Sequence, residues 1–185
     1  DTSHYASPHS DVMALMVLEH QCHIFNIINR ANYRVRLVMN DEDVESNAPD
    51  TGLPERVVME IKRHAPALVR NLLFTNEAVF EGPLSGNAGF AAYFEALGPY
   101  DEQGRSLREF DGQQRLFKYP CSYMIYSESF AALPPAFKRE VFRMLFEILT
   151  SAEPAADYGH LTAADKQALH EILRATVPDF SSARK

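Results

Sequence analysis

The segment Glu19-His20-Gln21-Cys22-His23 carries the side chains best suited to chemistry, and it sits in the most apolar run of the chain, Val12 to Ile28. At spacings of three and four, Met13, Met16, His20, His23 and Ile27 fall on one helical stripe. Met16, His20 and His23 offer a thioether and two imidazoles, a set that suits haem iron or copper better than calcium or magnesium. Glu19 stands four residues before His23, so its carboxylate can hold that ring through one nitrogen, as carboxylates do behind metal-bound imidazoles. His20 and His23, with Glu19, are therefore the candidate metal set. The alternative is an internal polar network, in which the same rings bond Asn26 or tyrosines of the run Tyr119 to Tyr126. The pattern is neither the His-Glu-x-x-His of zinc proteases nor the Glu-x-x-His of di-iron bundles. Nor is it Cys-x-x-Cys-His, the covalent haem motif, because Glu19 stands where the first cysteine would be.

A second unusual segment, Leu116-Phe117-Lys118-Tyr119-Pro120-Cys121-Ser122-Tyr123-Met124-Ile125-Tyr126, gathers three tyrosines, a cysteine and a methionine around a proline. It reads as a core helix packed on the first helix. The sharper reading makes it a pocket wall, with Tyr123 offering a ring and a hydroxyl to a cofactor. His4 and His9 precede the first helix and are candidates to fold back as ligands. His64, His160 and His170 carry less weight, His170 lying on a charged and solvated face. Gly82 to Gly89 lacks the lysine and the strand-to-helix context of a phosphate loop, and no serine nucleophile elbow is present.

The elements that must position these residues read as helices. The first runs from Ser10, as N-cap before Asp11, to about Met39. Because it is apolar on every turn between Val12 and Ile28, it is expected to be buried all round. Pro54 opens a second helix, with Val57, Ile61, Leu68 and Leu72 in helical period and Pro66 inside it. A short helix around Phe90 to Leu97 closes at Gly98-Pro99. Pro134-Pro135 opens a helix with Phe137, Val141, Leu145, Ile148 and Leu149 on its inner face. Thr162 and Asp165 form a capping box for a last helix, Ala163 to Thr176. No stretch alternates with period two. The expectation is an all-α fold, one domain over residues 1–185, of five or six helices around a buried N-terminal helix. The polar segment 98–112 is its weakest seam.

The chain has 185 residues, an apolar fraction of 46%, twelve phenylalanines, eight tyrosines and a net charge of −7. That balance argues against a nucleic-acid-binding surface, which needs clustered lysine and arginine. The densest acidic run, Asp41 to Asp43 with Glu45, reads as a solvated loop. No stretch reaches the roughly 18 to 20 apolar residues that span a bilayer. Two cysteines, Cys22 and Cys121, do not make a disulfide framework and read as buried thiols, with one bridge between them open in an oxidising compartment. A first residue of Asp1 rather than Met suggests a processed product or an excised piece.

Three segments are familiar together: Ser10 to Gln21 with His23, Arg115 to Tyr126, and His160 to Asp165. They resemble the C-terminal half of an uncharacterised family of secreted bacterial proteins associated with c-type cytochromes. The resemblance implies a periplasmic or secreted setting, a link to haem and electron transfer, and a c-type cytochrome or the remainder of a longer chain as partner. Any covalent haem would then lie outside this chain. The functional expectation is a periplasmic redox-associated protein binding haem or a transition metal (copper or iron) at His20 and His23, with Met16 and Tyr123 at the cofactor and Glu19 behind. The alternative is a non-catalytic structural or interaction subunit of a larger membrane or periplasmic assembly.

Overall fold

The side chain of Asp11 accepts a hydrogen bond from the Ala14 N–H at 3.2 Å and so caps the first helix, α1, Val12–Asp41. The cap falls one residue later than expected from Ser10, which lies outside the residues that the structure, a computed structural model, describes: 11–45, 47–49, 51–84, 86, 88–152 and 156–181. Pro54 stands just before α2, Glu55–Leu72, at the N-cap position and without a side-chain capping bond, and Pro66 lies within the helix. The short α3, Ala88–Ala96, is followed by a long irregular stretch and by α4, Glu128–Ala131. Pro135 at the first turn opens α5, Pro135–Thr150. Thr162 and Asp165 exchange the two bonds of a capping box at the head of α6, Ala163–Thr176. The fold is all-α, with six α-helices and no strand among the described residues.

α1 packs on α2, α2 on α5, and α5 on α6, so the core is threaded along the chain by neighbouring helices. Val57, Ala65, Leu68, Val69 and Leu72 of α2 are fully enclosed, as are Phe137, Val141 and Leu145 of α5 and Leu169, Ile172 and Leu173 of α6. α1 is not buried all round. Met13, Val17, Ile24, Ile28, Ala31, Val35 and Met39 form one inward stripe, while Val12, Leu15, Leu18 and Phe25 face outward. Apolar composition on every turn therefore did not fix burial. The polar side chains sit on the edges and outer face of the helix, where Glu19 needs no buried partner.

The run from Leu116 to Tyr126 is not a helix. Phe117 makes an isolated antiparallel bridge to Phe110, and only Tyr123–Tyr126 coil, as a 3-10 turn. Pro120 has no N–H to give a helix, and Ser122 starts a new turn by accepting from the Met124 N–H. The segment 98–112 is not a loose seam either. Leu107 and Ser106 are enclosed, and Arg105 bridges Asp101 to Glu171 of α6 at 2.7 and 2.6 Å. No described helix is long and apolar enough to cross a membrane.

Candidate functional site

α2 ends at Leu72, and the chain leaves it through a turn in which Phe74 and Asn76 take the left-handed backbone, φ 55° and 65°. For a phenylalanine that region is unfavourable and persists only where packing enforces it. Here the packing partner is His20, whose ring stacks on Phe74 at 5.0 Å with a 30° interplanar angle. Phe117 meets the same imidazole edge-on at 5.5 Å, and Tyr123 lies 5.8 Å away. His20 Nε2 bonds the Ser122 hydroxyl at 2.8 Å, and Ser122 is wholly enclosed. The His20 ring is thus clamped by three aromatics and one hydroxyl.

Burial, and secondarily the neighbouring His23, lowers the His20 pKa to about 4. The imidazole is therefore neutral at physiological pH, the form that ligates metals or accepts a proton. His23 is exposed and bonds Asn71 Oδ1 of α2 through Nε2 at 2.9 Å. The bond of its ring goes to α2 and not to Glu19. The Asn71 amide is itself fixed, donating to the Ala67 carbonyl at 2.8 Å.

Met16, Glu19, His20 and His23 line one open cleft of about 460 Å³, closed on the far side by Asn71 and the turn from Phe74 to Ala78. The structure so brings together four of the five candidate site residues. The fifth, Tyr123, stands behind His20 and outside the cleft wall. Its ring lies under the Arg108 guanidinium at 4.5 Å, its hydroxyl reaches Gln21 at 3.3 Å, and burial pushes its pKa up to about 12. A second cleft of about 640 Å³ shares Phe74, Asn76, Glu77 and Ala78 with the first and continues past Arg115, His160 and Asp165. Glu77 sits between the two. Burial raises its pKa, with the Arg115 charge and the Leu116 N–H opposing.

Chemically, the arrangement offers a neutral, immobilised imidazole at a cleft with two carboxylates and an amide. The Ser122–His20 pair does not present a nucleophile, because Ser122 is enclosed and its oxygen also accepts from the Met124 N–H. Among the described residues, no group of three or more histidine, cysteine, aspartate or glutamate side chains is placed to hold an ion. His64 bonds Glu60 at 2.8 Å and His160 the Leu73 carbonyl at 2.7 Å, each away from the cleft formed by α1. His170 is not on a solvated face, since its ring packs against Phe146 and Phe180 at 5.6 and 6.2 Å. His4 and His9 lie outside the described residues. Cys22 is exposed and Cys121 buried, both free, so the expectation of two buried thiols holds for Cys121 alone.

Spacing missed Asn71, Phe74 and Ser122, because each meets α1 from far along the chain; the Ser122 bond spans 102 residues and the Asn71 bond 48. The proline and the three hydroxylated residues around Ser122 are a local signal that the segment stops being helical there. Nothing local points to Asn71. Comparison with protein-family models, curated proteins and solved structures finds no match.

Proposed function

We propose that this is a periplasmic or secreted redox-associated binding protein whose α1 cleft takes haem or another transition-metal complex of copper or iron against His20 and His23. The observation that carries the reading is the neutral His20, held by Ser122 and Phe74 at the wall of an open cleft that His23, Met16 and Glu19 also line. Two imidazoles without a third strong ligand suit a metal that arrives already coordinated, as haem iron does, better than a bare ion. Each ring has Nε2 bonded within the protein, so a bond to metal would use Nδ1 or displace Ser122 or Asn71. Tyr123 would then support the site from behind His20 rather than touch the group. The periplasmic setting and a c-type cytochrome partner, or a longer parent chain, rest on the resemblance of the segments at residues 10–23, 115–126 and 160–165.

The test is a visible absorption spectrum with metal analysis on protein purified from its source, followed by haem titration of the purified chain. A Soret band or stoichiometric metal is expected, lost in His20→Ala and reduced in His23→Ala. No band, no metal and no spectral shift on titration would overturn the reading. A specific observation favours a second one, the non-catalytic interaction subunit: both Nε2 atoms already have protein partners, so each ring has a role in the fold without a ligand. In that case His20→Ala lowers stability by about 1–3 kcal/mol by removing the bond between the imidazole and the enclosed Ser122 hydroxyl, with metal content and colour unchanged.

A further inference from the structure

Phe146 and Thr150 stand one turn apart near the end of α5, and His170 and Arg174 stand one turn apart on α6. The two helices pack side by side, and Phe146 meets His170 edge-on at 5.6 Å, so the pairs face each other across a groove. The chain beyond α6 closes the floor of that groove. Phe180 is wholly enclosed there, its ring 6.4 Å from Phe146 and 6.2 Å from His170. With Ser181 these residues bound a cavity of about 470 Å³, within the range of about 300–1,000 Å³ usual for small-molecule sites. Its charge is opposite to that of the clefts described above. Those are lined by Glu19 and Glu77, and by Glu77, Asp111, Asp157 and Asp165, in a chain of net charge −7. No carboxylate lines the α5–α6 cavity, whereas Arg174 does. Among the described residues the Arg174 guanidinium has no acceptor, because Glu171, on the turn before it, receives Arg105 at 2.6 Å and Gln167 at 3.0 Å instead.

We infer that this cavity binds a small aromatic carboxylate, its ring against Phe146 and His170 over the floor of Phe180 and its carboxylate on Arg174. A flat ring matches walls that are themselves aromatic, where edge-to-face and offset contacts add to the burial of area. A guanidinium pairs with a carboxylate through two parallel N–H bonds, which orient the ligand as well as hold it. A cationic ligand would meet Arg174 with no carboxylate to offset it, and a neutral ring would leave the guanidinium unpaired. The inference is independent of what the α1 cleft binds.

Titration of the full chain with 2-naphthoate, followed by the fluorescence of the probe, tests it against 2-naphthamide, which carries the same ring without the charge. Saturation by naphthoate at one equivalent per chain is expected, with a melting temperature that rises with its concentration. Naphthamide should bind at least about tenfold more weakly, the usual worth of one charge-assisted pair. Arg174→Gln, at an exposed position, should bring naphthoate down to the affinity of naphthamide and leave naphthamide unchanged. Thr150→Trp, which places a large ring at the mouth from an exposed site, should abolish the binding of both probes with helicity unchanged. Failure of naphthoate to bind overturns the inference, as does equal affinity for the two probes. Naphthoate binding indifferent to Arg174→Gln or to Thr150→Trp overturns it equally, since the probe would then sit elsewhere.

Discussion

His20 is a residue whose protonation state the fold decides. Its pKa falls from 6.5 to about 4 on folding, through burial first and the neighbouring His23 second. The unfolded chain therefore binds more protons between those values, so the contribution is complete above about pH 6.5 and is lost as pH falls toward 4. Its size is on the order of 3 kcal/mol. His20→Gln keeps a hydrogen-bonding group near Ser122 but removes the titration. Its melting temperature should fall less steeply than that of the wild type between pH 6.5 and 4, and identical slopes would show that His20 does not carry the dependence. The two thiols divide in the same way by environment. Burial pushes Cys121 up to about 12, which holds it as an unreactive thiol, while Cys22 lies open. Dilute native protein should take up one equivalent of a thiol reagent, at Cys22, and the second only in denaturant. Two equivalents under native conditions would mean that the Leu116–Tyr126 segment opens readily.

At the scale of elements, what could be read in advance was what is local. The helical period fixed α2, α5 and α6, and the Thr162–Asp165 pair marked the start of α6 to the residue. The stripe of Met16, His20 and His23 was equally legible, since i, i+3 and i+4 neighbours share a face whatever the helix packs on. The outward turn of Leu15, Leu18 and Phe25 was not, because an apolar residue does not announce whether its neighbour is core or solvent. The Leu116–Tyr126 run was misread for a related reason: its composition fits a helix, but Pro120 and the Ser122 turn break the backbone ladder. Ordered connections are pinned by contacts that spacing cannot show. Gly86 passes so close to the start of α1 that an added Cβ would lie 2.6 Å from Asp11 Oδ1 and 2.8 Å from Met13 Cγ. Gly86→Ala should therefore destabilise by about 1–3 kcal/mol and disturb the α1 cap, measurable as a lower melting temperature. An unchanged melting temperature would mean that the connection swings aside without loss.

The whole molecule is held by one contiguous apolar core reaching from Met13 of α1 to Phe180 beyond α6. Within it Phe94, Phe110, Phe117 and Tyr123 form a packed aromatic set, with ring centroids 5.0–6.1 Å apart, that joins α3 to the irregular middle of the chain. The segment 98–112, which by composition is the place where a domain would divide, is tied at both levels. Leu107 is enclosed in the core, and Arg105 is paired to α6 through Glu171. A seam would melt on its own and leave the helices standing; a pinned segment melts with them. Far-ultraviolet circular dichroism reports the helices and near-ultraviolet signals report the packed tyrosines, so the two should trace one coincident thermal transition. Leu107→Ala removes side-chain volume from a closed site and should lower stability by about 2–5 kcal/mol. It should move both signals together by the same number of degrees. A near-ultraviolet transition that separates from the far-ultraviolet one, in the wild type or in Leu107→Ala, would show that the aromatic middle folds as a unit apart from the four long helices.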